Sequence, residues 1–292
     1  MFYFLSLLSG ALISIMITLN GRLAGQHGLH SATTLIHLIG LLLIATMVLI
    51  KKERPFSNRQ AWFLYLGGAI GVLITVFQNL AFGRISVSAI LALVLLGQAV
   101  AGLVVDQFGF FHMPKHPFTK QKLFGLFLIL AGIVSMINNF ELLAIILTFL
   151  SGICLVIARS LNARLAILTS VHTSTFFNYV IGLAVSIPVL LLLGFGEIST
   201  TTFDFSSEWY IYLGGIVGVV VIFISNIIVV KISAFYLTLL LFIGQVFTGI
   251  LIDVMLTGVF SHLNLIGGIL VLAGLCTNLL LDRQKKDSAI HS

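Results

Sequence analysis

The sequence predicts an all-α polytopic membrane protein of ten transmembrane helices, laid out as two inverted five-helix repeats with both termini cytoplasmic. Three observations lead there. The chain is 59% hydrophobic and 8% charged, with a mean hydropathy of +1.18, whereas soluble domains carry about 25% charged residues. Its 292 residues break into apolar runs near the roughly 20 residues that span a bilayer. Those runs also repeat.

In order, the first half offers Phe2–Leu19, Thr33–Ile50, Trp62–Phe82, Ser86–Phe110 and Leu123–Ile137. The second offers Leu142–Leu161, Thr175–Leu193, Trp209–Val230, Ser233–Leu256 and Leu265–Leu281. Lipid gives backbone groups no partner, so each is expected to be a helix. Several are long enough to tilt. No period-two alternation marks an outer-membrane barrel. The opening Met1-Phe2-Tyr3-Phe4 lacks the basic start of a signal peptide, so the first run is expected to stay as a span. Cys154 and Cys276 fall in apolar runs and read as small hydrophobes.

Loop charge sets the orientation. The net charge of +6 is assigned to loops and a tail. Lys51, Lys52, Arg54 and Arg59 follow run two, Lys115, Lys120 and Lys122 follow run four, and Arg283, Lys285 and Lys286 follow run ten. All three groups share one side only if both ends are cytoplasmic, which leaves Glu141, Glu197, Asp204 and Glu208 on the other. Nucleic-acid binding is not expected.

The repeat divides the chain at 1–140 and 141–292. Trp62-Phe63-Leu64-Tyr65-Leu66-Gly67-Gly68 matches Trp209-Tyr210-Ile211-Tyr212-Leu213-Gly214-Gly215. Leu19-Asn20-Gly21-Arg22-Leu23-Ala24 matches Leu161-Asn162-Ala163-Arg164-Leu165-Ala166, and His30-Ser31 faces His172-Thr173. Gly97-Gln98 with Asp106 matches Gly244-Gln245 with Asp253. An odd number of spans per repeat turns the second copy upside down, an architecture that places a binding site near mid-membrane between the repeats.

Polar residues inside the runs are the candidates for that site. Gln98 and Gln245 sit near mid-depth, where an amide can recognise a small polar solute or can bond helix to helix. Asn79 and Asn226 stand near the ends of runs three and eight, as access-path residues or as caps. Asn20 and Asn162 close runs one and six, while Ser14, Thr18 and Ser160 give those runs polar faces that also suit packing. Asp106 and Asp253 read first as interfacial helix-end residues and second as proton carriers. His37, whose counterpart is Tyr179, is either a packing residue or a coupling group. Gly67/Gly71 and Gly214/Gly218 allow close helix approach, and Trp62 and Trp209 are interfacial anchors.

No phosphate loop, zinc motif, nucleophile elbow or Cys-x-x-Cys pair occurs. An enzyme is therefore not expected, and neither a metal nor a cofactor is.

Taken together, the duplicated five-helix pattern, Asn-x-Arg-Leu-Ala after run one, Trp-x-x-Tyr-Leu-Gly-Gly in run three and Gly-Gln with Asp in run four resemble the YdcZ-like branch of the drug/metabolite transporter superfamily, EamA-like proteins among them, in its fused ten-helix form. The resemblance covers essentially the whole chain. It implies a secondary transporter of the bacterial cytoplasmic membrane, with a central cavity lined mainly by spans one, three, four, six, eight and nine. Gln98, Gln245, Asn79 and Asn226 are then the cavity positions. The first-helix glutamate of small multidrug exporters is absent, and spans one and six are expected to offer only Ser, Thr, Asn and Cys. The expected function is alternating-access transport of a small polar or amphipathic metabolite, in contact with membrane lipids, as monomer or homodimer. A non-catalytic lipid-handling or scaffold subunit is the alternative.

Overall fold

A computed structural model describes residues 2–108, 122–137, 140–200, 207–228, 231 and 234–290. Lys115, Lys120, Asp204 and Ser233 lie outside these. So do the side chains of Asp106, Lys122, Arg283, Lys285 and Lys286.

The regular secondary structure of the described residues is helical. The helices are α1 (Phe2–His27), α2 (Leu29–Ile50), α3 (Gly67–Ala81), α4 (Val87–Phe108), α5 (Lys122–Met136) and α6 (Leu142–Leu168). There follow α7 (Val171–Leu193), the short α8 (Phe195–Thr200), α9 (Gly214–Ile228), α10 (Ala234–Thr257) and α11 (His262–Ile290). A 3₁₀ turn leads into α3 (Trp62–Leu66) and another into α9 (Trp209–Leu213). Among the described residues seven helices are long and apolar enough to cross a membrane, and three shorter apolar stretches lie in α4, α5 and α11. The chain is a multi-pass membrane protein.

Helix ends correct the sequence reading at two matched places. Asn20 and Asn162 do not close their helices. α1 runs on to His27 and α6 to Leu168, with no proline in either extension and no left-handed glycine before Gly28. The φ of 85° at Gly28 suits glycine and ends α1. After α6 the Ser170 hydroxyl accepts the Thr173 N–H at 3.0 Å and starts α7.

Packing between the two halves of the chain comes in reciprocal pairs. α1 packs on α10 and α6 on α4, α9 on α1 and α3 on α6, while α2 faces α7 and α5 faces α11. Glycines make the closest approaches. A Cβ on Gly10 would overlap the Leu241 carbonyl, and one on Gly152 the Val94 carbonyl. Their counterparts Gly244 and Gly97 meet Leu7 and Phe149 in the same manner. In hydrocarbon, where burial gives helices no hydrophobic drive to associate, such backbone proximity is a main source of cohesion.

Each half also caps the other. The Glu197 carboxylate, just beyond α7, accepts the His30 and Ser31 N–H groups at the start of α2, both at 2.9 Å. Glu53, just beyond α2, accepts the Ser170 and Thr173 hydroxyls at 2.5 and 3.2 Å at the start of α7, with His172 Nδ1 2.8 Å away. Glu197 pairs with amides that a helix leaves unsatisfied at its start, Glu53 holds the α7 start through hydroxyls, and both carboxylates lie at the positive end of a helix dipole. Glu197→Gln is expected to lower unfolding stability by about 1 kcal/mol, read from denaturant unfolding in detergent. An unchanged midpoint would mean that the cap is dispensable.

Candidate functional site

The buried face that these contacts enclose holds a cavity of about 150 Å³, lined from α1, α2, α3, α4, α6, α7, α9 and α10. Its walls are mixed. Ile13, Ile17, Leu91, Val94 and Val221 supply apolar surface, and Asn20, His37, Gln78, Arg159, Asn162, Asn178, Asn226 and Gln245 supply polar groups.

Gln245 lies eleven residues into α10, or about 17 Å along a helix rising 1.5 Å per residue. It is buried, and its Oε1 has no hydrogen-bond partner among the described residues. Asn20 Oδ1 and Asn226 Nδ2 are unpartnered in the same sense. Asn162 differs from its counterpart, because its Nδ2 donates to Asn178 Oδ1 at 2.9 Å. His37 Nδ1 sits 2.8 Å from the Thr33 carbonyl, and its ring rests where a Gly182 Cβ would be. In the mirror arrangement Tyr179 rests against Gly40. The glycines at these two places make room for rings that reach the cavity wall.

Other sequence candidates fall elsewhere. Ser14 donates to the Gln245 backbone carbonyl at 2.6 Å, tying α1 to α10. Thr18 and Ser160 donate to carbonyls one turn back in their own helices, Ser14 and Val156. Asn79 is buried but lines a second, open cavity of about 570 Å³ beside Arg22, Arg84 and Glu208, where α1 ends. Gln98 does not line the central cavity. It reaches it through Arg159, whose Nη1 donates to Gln98 Oε1 at 3.4 Å.

Asp253 lies against the start of α4. Its Oδ1 accepts the Val87 N–H at 2.7 Å, and its Oδ2 accepts the Ser88 N–H at 3.0 Å and the Ser88 hydroxyl at 2.5 Å. Asn264 Nδ2 completes the cluster with a 3.0 Å bond to Ser88 Oγ. A carboxylate of α10 therefore caps α4.

Arg159 is the residue that sequence reasoning missed. It stands within α6, in the run said to offer only Ser, Thr, Asn and Cys, and contradicts the assignment of basic residues to loops and tail. It is half-buried and lines the cavity. A charge at the centre of a span costs roughly 2.5–3.5 kcal/mol on insertion scales. The signal was present, since Arg159 is the basic residue of run six and its counterpart is Ile17. Asn178, counterpart of Ile36, and Gln78, counterpart of Ser225, were likewise passed over.

A family model described as "Putative inner membrane exporter, YdcZ" matches the chain twice, over residues 1–135 and 143–277. The chain belongs to this family. The family description points to a membrane transporter, and the functional residues are to be sought where the helices enclose space. No curated protein matches the sequence. A crystal structure of a protein 17% identical aligns over 97% of this chain and 96% of that one, with a TM-score of 0.65, and is similar in fold.

Proposed function

We propose that this YdcZ-family protein is a secondary transporter that moves a small polar or amphipathic metabolite out of the cytoplasm by alternating access. The observation that carries the reading is the central cavity, walled by helices of both halves and lined with polar side chains. The topology proposed with it has ten spans in two inverted repeats, 1–140 and 141–292, with both termini in the cytoplasm of a bacterial cell. Reciprocal glycine contacts, reciprocal glutamate caps and the twofold family match support this layout. Halves related in this way can rock about a shared site and open it to each side in turn. Export follows the family's description.

The test is flux in proteoliposomes. The unaltered protein is expected to give saturable, counter-flow-competent movement of at least one metabolite from a panel. Gln245→Leu, which keeps volume but removes the unpartnered amide, is expected to cut that flux at least tenfold, a loss of about 1.4 kcal/mol in binding or in the transition state. Retained folding would be checked by its melting temperature. Flux absent for the whole panel, or equal in Gln245→Leu, would count against the reading.

A further inference from the structure

We infer that the central cavity is a site for a small monocarboxylate, held through its carboxylate by Arg159. This deepens the transport reading and names the substrate class for the same site.

Five observations carry it. Arg159 brings a permanent positive charge to the wall, and none of the described residues that line the cavity is acidic. Its one hydrogen bond among the described residues goes to the neutral Gln98 Oε1, at a long 3.4 Å. A guanidinium presents five donors in a planar fork, so most of its capacity is unspent, and that fork fits a carboxylate with two parallel bonds. One cation compensates one negative charge, which favours a monoanion over a di- or tricarboxylate. The volume of about 150 Å³ is that of a cavity known to hold benzene, so the ligand has on the order of six to ten heavy atoms. The unpartnered amides of Asn20, Asn226 and Gln245 provide donors and acceptors for a hydroxyl or amino group on the same molecule. Ile17, at the position matching Arg159, lines the same cavity. The charge is therefore one-sided and orients the ligand, carboxylate toward α6.

The full chain in detergent would be melted with butyrate, lactate and benzoate at millimolar concentration, each beside its uncharged amide. At least one acid is expected to raise the melting temperature saturably, with its amide needing at least tenfold more. Arg159→Gln is expected to raise the acid's half-saturation concentration at least tenfold, and Arg159→Lys to recover part of the loss. An amide as effective as its acid, an acid effect unchanged in Arg159→Gln, or no stabilisation by any acid would each overturn the inference. The acid–amide comparison uses the unaltered protein, so it stands even if Arg159→Gln does not fold. Proteoliposome flux separates the two claims. Transport of an uncharged or cationic solute without acid stabilisation would remove the carboxylate site and leave the transporter. Acid binding without flux of any solute would do the reverse.

Discussion

Asp253→Ala is expected to destabilise the folded protein by about 3 kcal/mol, because it orphans two buried backbone donors at once. The first amides of a helix have no partner of their own, and at the start of α4 those of Val87 and Ser88 point to the two oxygens of one carboxylate. Val87 is 2% and Ser88 0% exposed, so water does not replace the lost acceptors. A buried donor left unmade costs about 1–3 kcal/mol, and the favourable placement of an anion at a helix N-terminus is lost as well. Asp253→Asn keeps an acceptor for one amide and is expected to lose about half as much. The check is denaturant unfolding in mixed micelles of both variants beside the parent. Both variants as stable as the parent, with pH-driven flux gone, would instead make Asp253 a proton carrier.

Gly152→Leu is expected to abolish folded yield, the second large effect. A Cβ there would overlap the Val94 carbonyl and lie 3.0 Å from the Gly97 Cα. Both obstacles are backbone, so no rotamer change relieves them, and α6 must back away from α4. Overpacking of this kind costs about 1–3 kcal/mol and occasionally more. Here it falls on the seam that holds two walls of the cavity. Gly25→Leu is the control, since a Cβ at that position meets nothing within 4 Å. Monodisperse elution from size exclusion is the readout. A Gly152→Leu protein that elutes and melts like the parent would mean that the α4–α6 contact is not a source of stability.

Much of the architecture was legible because membrane helices are written in local signals. Hydropathy marked the apolar runs, the Trp-x-x-Tyr-Leu-Gly-Gly copies marked where runs three and eight begin, though not the 3₁₀ turns that open them, and glycines at matched positions marked close helix approaches. The sequence also showed which residues correspond across the two halves. What it did not show was who meets whom. Asp253 and Val87 are 166 positions apart, and Glu53 and Ser170 are 117, so no periodicity links either pair. Asn20 and Asn162 looked like helix-end residues because each is followed two residues later by an arginine, yet helical hydrogen bonding continues for about two more turns in both helices. Arg159 was lost for a different reason. Averaged over its run, one guanidinium hardly lowers the hydropathy, and the comparison of repeats highlights what the copies share while Arg159 is where they differ.

That difference has a consequence for gene duplication. A transporter assembled from two identical halves must present every cavity residue twice, so an arginine at this depth would meet its own twin. Two like charges 4 Å apart repel by about 4 kcal/mol at an effective dielectric of 20, and a volume of about 150 Å³ leaves them little room to separate. Fusion into one chain lifts the constraint. With Ile17 on one side and Arg159 on the other, the cavity wall carries one guanidinium rather than a matched pair among the described residues. The join between the halves gives the cavity a polarity that symmetry would forbid.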